Sequence, residues 1–387
     1  MIRSSTGLQC SGRHSRANGN PGGGRVATRP DAELLGHLRI PGTIESPKEV
    51  IILNLNKLKY LLALLSLTLI AATAHAQSNN LLLGYSGSGI SSDLRRVMEK
   101  EHIWEKHGLN VKSIYFNSGN ILTQAMLGGN IVVSDSGVPE MLSLPVSGAM
   151  ETRVITVNIN RLEHIFVTRK NIVKNEDLKG KKIAVSRFGS ASDLTTRMVL
   201  RTWKLDPEKD VMLFQSGNTP TRMSALLAGH VDAALVSPEG IHKVLASGCC
   251  HAFADLSELP LDFARFGVTV PAVLIRNQRD IARRIVMAYI EGIYAFKTKP
   301  KLVYSILEEE GIKDPAVAKE IYTRLNFSMR EYPIPELAGI QTALDSLGHP
   351  NAKNVKAASL IDTTLIEEIR KSGFIDKLYG RAPKNER

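Results

Sequence analysis

Residues 186–194 read Ser-Arg-Phe-Gly-Ser-Ala-Ser-Asp-Leu and stand between two segments of different period. Before them, Lys181-Lys182-Ile183-Ala184-Val185 is a short apolar run; after them, Leu194, Met198, Leu200 and Trp203 recur at helical spacing. The reading is strand, Gly/Ser turn, helix. Ser190 or Ser192 supplies the N-cap and Asp193 an acidic first turn. The first N–H groups of such a helix are unpaired and lie at the positive end of its dipole. They attract a carboxylate, sulfonate, phosphate or carbonyl oxygen. Ser190, Ala191 and Ser192 are therefore candidate ligand-binding residues.

The same device occurs about a hundred residues earlier. Ser86, Gly89, Ser92, Asp93, Leu94 and Met98 correspond to Ser186, Gly189, Ser192, Asp193, Leu194 and Met198. The order continues: Ser118-Gly119-Asn120 matches Ser216-Gly217-Asn218, and Ala125, Leu127, Gly129 and Ile131 match Ala225, Leu227, Gly229 and Val231. A period this long implies two related lobes, since solenoid repeats run roughly 20 to 50 residues. Ser86, Gly87 and Ser88 are the first lobe's counterpart of the Ser190 turn. Asp93 and Asp193 read as partners of their helix dipoles.

Strands alternating with helices imply mostly parallel α/β sheets, whose ligands bind beyond the carboxyl ends of the strands. The loop after the strand at 131–135 offers Asp135, Ser136 and Gly137, and the loop after 231–236 offers Ser237 and Glu239. The expected fold is α/β and two-lobed, with a ligand cleft between the lobes. Lobe 1 takes residues 80–165, lobe 2 residues 166–271, and residues 272–387 return to lobe 1 as a mostly helical tail packed behind it. Extended crossings near 164–169 and 271–276 make a double-strand hinge that permits closure over a ligand.

Upstream, residues 1–56 are rich in Gly, Ser, Arg and Pro without apolar periodicity, the composition of a disordered extension. Residues 57–76 then join Lys57 and Lys59 to an apolar run and to Ala74-His75-Ala76, the layout of a secretory signal peptide cleaved near Ala76. The apolar run is too short for a membrane-spanning helix, which needs about 20 residues. Because such signals open a chain, translation is expected to begin near Val50 or Leu53. The mature protein would be periplasmic.

Nine basic and four acidic residues lie in 1–76, so +6 of the formal +11 charge belongs to the remaining 311 residues. That surplus is dispersed, which argues against nucleic-acid binding. Cys249-Cys250-His251 lacks the further ligands a zinc site needs. No metal site, cofactor or catalytic residue is expected, and no Walker loop, His-Glu-x-x-His or Ser/His/Asp order occurs.

Lys179-Gly180-Lys181-Lys182-Ile183-Ala184-Val185 before the turn, Ala225-Leu226-Leu227-Ala228-Gly229-His230-Val231-Asp232-Ala233-Ala234 before Ser237-Pro238, and the early Gly108-Leu109-Asn110-Val111 together carry a resemblance. Over residues 80–345 the chain resembles the nitrate/sulfonate/taurine-type substrate-binding proteins of ABC importers (the SsuA/THI5-like, NMT1-like group). That resemblance implies a type II periplasmic binding protein, not an enzyme, that acts as a monomer and hands a small ligand to a permease and its ATPase. Hydroxyls and helix N-termini suit a sulfonate, nitrate or carboxylate; Asp135 and Glu239 suit an amine or a pyrimidine. The thiamine-pyrimidine synthases of the same superfamily are the enzymatic alternative, and a ligand-sensing module of a membrane receptor is another.

Overall fold

The two copies of the strand–turn–helix device sit at corresponding places in two five-stranded sheets. The computed structural model describes residues 80–381 apart from Ser88; the expected extension and export signal lie outside the described residues. In the first sheet the strands are β1 (Asn80–Ser86), β2 (Asn110–Phe116), β3 (Val133–Gly137), β4 (Thr152–Ile159) and β10 (Phe266–Pro271), in the order β2-β1-β3-β10-β4. In the second they are β5 (Ile165–Arg169), β6 (Lys182–Val185), β7 (Met212–Gln215), β8 (Ala233–Val236) and β9 (Cys250–Asp255), in the order β7-β6-β8-β5-β9. Each sheet has three parallel strands and then one antiparallel strand that has crossed from the other lobe. The fold is thus α/β with two lobes, and the internal repeat is a repeat of sheet topology.

The crossings differ from the expected ones. Residues 165–169 are already β5 in the second sheet, so the first crossing is residues 160–164. The segment 271–276 is not an extended crossing: β10 ends at Pro271 and Ala272–Asn277 is a helix. Because β10 belongs to the first sheet, the second crossing is residues 256–265, and a lobe boundary at residue 271 falls one strand too late. A short apolar run such as Ala272-Val273-Leu274-Ile275 has no period that separates a buried strand from a helix.

The helix Arg279–Thr298 backs the first sheet. Its Ile281, Ile285, Tyr289, Ile293 and Phe296 recur every three or four residues and pack in one cluster with Leu81, Leu83, Leu94 and Met98. Each such side chain contributes about 1.5–3 kcal/mol on burial. The tail does more than back lobe 1, however. Ile340, Ala343 and Leu344 of the helix Leu337–Ser346 share a cluster with Val138 and Leu142 of the first lobe and with Phe166, Ile183 and Val199 of the second. One apolar core therefore runs behind the hinge and ties the lobes together. Among the described residues, no helix is long and apolar enough to cross a membrane.

Candidate functional site

The carboxyl ends of β1 and β6 face one cleft, lined by Ser86, Gly87, Asn117, Ser118, Gly119 and Glu140 from the first lobe, by Ser186, Ala191, Ser192, Asn218, Thr219 and Arg222 from the second, and by His164, Arg265 and Phe266 at the hinge. Its atom-free space, open solvent included, is about 490 Å³. The helices Gly119–Leu127, Ala191–Thr202 and Thr219–Ala228 all begin at its wall. Helix N-termini from both lobes thus converge on one place, where their dipoles favour negative charge.

Within the second lobe the serines build the turn before they can touch a ligand. The Ser190 hydroxyl caps the helix through the Asp193 N–H at 3.4 Å and accepts from the Ser186 hydroxyl at 2.7 Å. The Ser192 hydroxyl accepts the Ser186 N–H at 2.8 Å. Asp193 is held by the Gly189 N–H and the Arg197 Nε–H, both at 2.8 Å, which bears out its structural reading. Ala191 and Ser192 line the cleft; Ser190 stands one position behind them as the cap. Ser190→Ala is accordingly expected to cost about 1 kcal/mol of stability by urea unfolding; a change below a few tenths would mean the hydroxyl network does not hold the turn.

The first-lobe candidates are split. Ser86 and Gly87 line the cleft, while Ser88 lies outside the described residues. Asp135, Ser136 and Gly137 are the last residues of β3 and not a loop, because Ser136 and Gly137 pair with Gly267 and Phe266 of β10. Asp135 is buried in the lobe beside Tyr289, whose hydroxyl is pushed up by burial and then by the Asp135 charge. Ser136 hydrogen-bonds Ser86 and so ties the ends of β3 and β1. Ser237 is the N-cap residue of the helix Pro238–Ala246, away from the cleft lining, and Glu239 continues that helix.

The charged groups of the cleft are ones the sequence did not disclose. Arg265 is 4% exposed, and its Nε and Nη1 have no hydrogen-bond partner among the described residues. Its Nε stands 3.6 Å from Glu163 Oε1, an ion pair beyond hydrogen-bond reach, and its guanidinium lies 4.1 Å from the Phe266 ring centre. Glu163 also faces His164 Nδ1 at 3.2 Å. Burial disfavours the Glu163 charge, but Arg265 and His164 outweigh it and hold the carboxyl down to about 2. Burial likewise pushes the His164 imidazole below its ordinary range, against the pull of Glu163.

Arg222, by contrast, is satisfied. It donates to the Gly217 carbonyl at 2.9 Å, to Thr219 Oγ1 at 3.0 Å and to the Leu235 carbonyl at 3.4 Å. Burial and the neighbouring Arg265 push it down to about 10. Glu140 is 4% exposed, and burial lifts its carboxyl to about 7 against Arg265, the Ala191 N–H and the Ser136 hydroxyl. One signal in the sequence pointed to it: Pro139-Glu140 follows β3 as Pro238-Glu239 follows β8. Arg265 and His164 carry no such mark.

The crossing segments form the floor. Arg265 N–H donates to the Ile159 carbonyl at 2.9 Å and Leu256 N–H to the His164 carbonyl at 3.0 Å. At the mouth, Asn120 Nδ2 donates to the Phe188 carbonyl at 2.9 Å, and Asn218 Nδ2 to the Tyr115 hydroxyl at 3.2 Å. These are the two Asn of the Ser-Gly-Asn repeat, and each reaches into the opposite lobe. Side chains of the two lobes thus meet at the mouth.

Comparison with known proteins agrees with this architecture. A protein of Brucella abortus strain 2308 described as a binding protein is 28% identical over 172 residues, 44% of this chain and 51% of that one. The taurine-binding periplasmic protein of Escherichia coli K12 is 26% identical over 188 residues, 47% of this chain and 56% of that one. The matched part spans about half the length of these curated relatives. Among solved structures, a protein of Bordetella bronchiseptica RB50 superposes with a TM-score of 0.67 at 19% identity, covering 79% of this chain and 99% of that one. The alkanesulfonate-binding protein SsuA of Xanthomonas axonopodis, bound to MOPS, gives 0.62 at 16% identity over 74% and 99% of the two chains. The nitrate-binding protein NrtA of Synechocystis gives 0.61 at 13% identity over 76% and 89%. These likenesses establish the two-lobed periplasmic-binding-protein fold. The family model described as NMT1/THI5 like matches residues 99–302, more than half of the sequence, and the chain belongs to that family.

Proposed function

We propose that this protein is an extracytoplasmic solute-binding protein, exported through residues 57–76, that captures a small anionic molecule between its lobes and delivers it as a monomer to an ABC permease and its ATPase. The observation that carries the reading is Arg265. A guanidinium buried on the hinge, whose Nε and Nη1 lack hydrogen-bond partners although Glu163 supplies a countercharge, is an incomplete hydrogen-bonding site, and buried donors left unpaired cost free energy until something accepts from them. The helix N-termini around it add partial positive charge, and a sulfonate, carboxylate or nitrate supplies acceptors of the right kind. The sulfonate, taurine and nitrate specificities of the relatives and structural neighbours point the same way. A transport or binding role needs no covalent chemistry from the cleft.

Titration calorimetry of the full chain against ethanesulfonate, propane-1-sulfonate, butyrate, nitrate and taurine tests the proposal. At least one anion is expected to bind, and Arg265→Lys, which keeps the charge facing Glu163 but loses the planar fork, is expected to weaken it roughly 10- to 100-fold. Unchanged affinity in a folded Arg265→Lys protein would remove Arg265 from the site. Absence of any binding would refute the anion reading.

A further inference from the structure

We propose that Cys249 and Cys250 are a reversible thiol–disulfide site on the second lobe, which an external disulfide closes into a Cys249–Cys250 bond and a thiol reopens. The site lies apart from the cleft and does not rest on the anion-binding reading. The two residues lead from the helix Pro238–Ala246 into β9, where Cys250 pairs with Arg169 at the end of β5. β5 and β9 meet the hinge crossings at their other ends, so the cysteines stand on the side of the sheet remote from the hinge.

Neighbouring residues of a regular strand send their side chains to opposite faces. These two do not: their sulfurs stand 2.6 Å apart. Cys249 lies just before the strand, in a turn where Gly248 has a φ of 68°. Its N–H donates to Ser247 Oγ and its carbonyl accepts from the Lys170 N–H, both at 3.3 Å. The backbone is thus held with the two thiols on one side.

The thiols are unequal. Cys249 is half-buried, whereas Cys250 is 3% exposed. Burial opposes ionisation of Cys249, but the Cys250 thiol, the Ser247 hydroxyl at 3.2 Å and the Arg169 charge outweigh it and hold the thiol below its ordinary range. Burial, and then the contact with Cys249, pushes Cys250 up to about 12. The thiolate is the attacking species in disulfide exchange, so the accessible Cys249 attacks and the buried Cys250 resolves.

Cys249 Sγ attacks one sulfur of the external disulfide, whose S–S bond breaks and releases one half as a thiol. Cys250 Sγ then attacks Cys249 Sγ, and the other half leaves as a second thiol. The two protons of the cysteines end on the two released thiols; the pair is oxidised by two electrons and the external disulfide reduced by two. The ring so formed is easily reopened, because Cα atoms across a trans peptide are about 3.8 Å apart and disulfides ordinarily span roughly 4.4–6.8 Å. Strained disulfides are the labile ones.

The test treats the native full chain with excess glutathione disulfide, caps remaining thiols with N-ethylmaleimide, and weighs the tryptic peptide 244–265, which holds Cys249 and Cys250 without Cys10. The peptide is expected uncapped and lighter by two hydrogens, and excess reduced glutathione before capping should return it to the doubly capped form. A doubly capped peptide after oxidation, a peptide that stops at one bound glutathione, or a ring that reduced glutathione does not reopen overturns the proposal. The roles are checked separately: Cys250→Ser should trap glutathione on Cys249 at least about tenfold faster than Cys249→Ser traps it on Cys250. Equal rates would overturn the assignment of attacking and resolving thiols. The wild-type experiment needs no variant, so a folding defect in either one cannot rescue the proposal.

Discussion

Glu163→Gln is expected to destabilise the protein by about 3–5 kcal/mol near neutral pH, measured by urea unfolding. Glu163 and Arg265 are both buried on the crossing segments, and the carboxylate is the countercharge that the Arg265 guanidinium and the His164 imidazole face. Removing one partner of a buried pair leaves the other charge desolvated and uncompensated, which costs far more than the pair itself contributes. The pH dependence gives the sign. In the folded protein this carboxyl sits at about 2, below its ordinary 4.5. Its contribution is therefore fully present above about pH 4.5 and is lost as the pH falls through about 2. The gap between wild type and Glu163→Gln should be widest at pH 5–7 and should close on acidification. A gap below about 1 kcal/mol at pH 7, or one unchanged down to pH 2, would show that the ion pair does not hold the hinge.

Gly267→Ala is expected to cost about 3 kcal/mol or more and to abolish ligand binding with it. Gly267 follows Arg265 and Phe266 at the start of β10, where the pairing with β4 slips register between Phe266 and Gly267 and again between Val268 and Thr269. A Cβ there would overlap the Thr156 carbonyl oxygen and stand 3.1 Å from its carbon and 3.2 Å from Val157 Cα. These are backbone atoms of the neighbouring strand, so no side chain can swing aside; β10 and β4 must part. Arg265 and Phe266, immediately before Gly267, line the cleft. Urea unfolding and calorimetry on one preparation check both effects. A stable Gly267→Ala protein that binds as the wild type does would mean that the strand pair yields without disturbing the site.

The two mutations sit on elements that were unequally legible. The strand–turn–helix units around Ser86 and Ser186 were readable because each is built from neighbours in the chain: an apolar run, a Gly/Ser turn, a capping serine, a helical period. The repeat of these units foretold two lobes with matching sheets, and of their two helices the one after Ser186 begins at the cleft wall. Asp193 was readable as a first-turn acid for the same local reason. Asp135 was expected in a loop but stands near the end of β3, because a position at a strand end does not say which way a side chain faces; β10 pairing beside β3 leaves Asp135 in the core beside Tyr289.

What the sequence by itself determined is the fold class and the two-lobe plan, because those follow from short-range periodicity, capping and turn chemistry. What only the tertiary structure decided is the charge of the site. Glu140, His164, Arg222 and Arg265 come from a helix start, two hinge crossings and a helix of the other lobe, and no spacing links them. The hinge itself was misplaced by one strand, since β10 and the helix after it are distinguished by the partner that pairs with them and not by their own pattern. Burial and charge proximity are properties of surroundings assembled from distant segments, and in this protein those surroundings exist only once both crossings lie side by side.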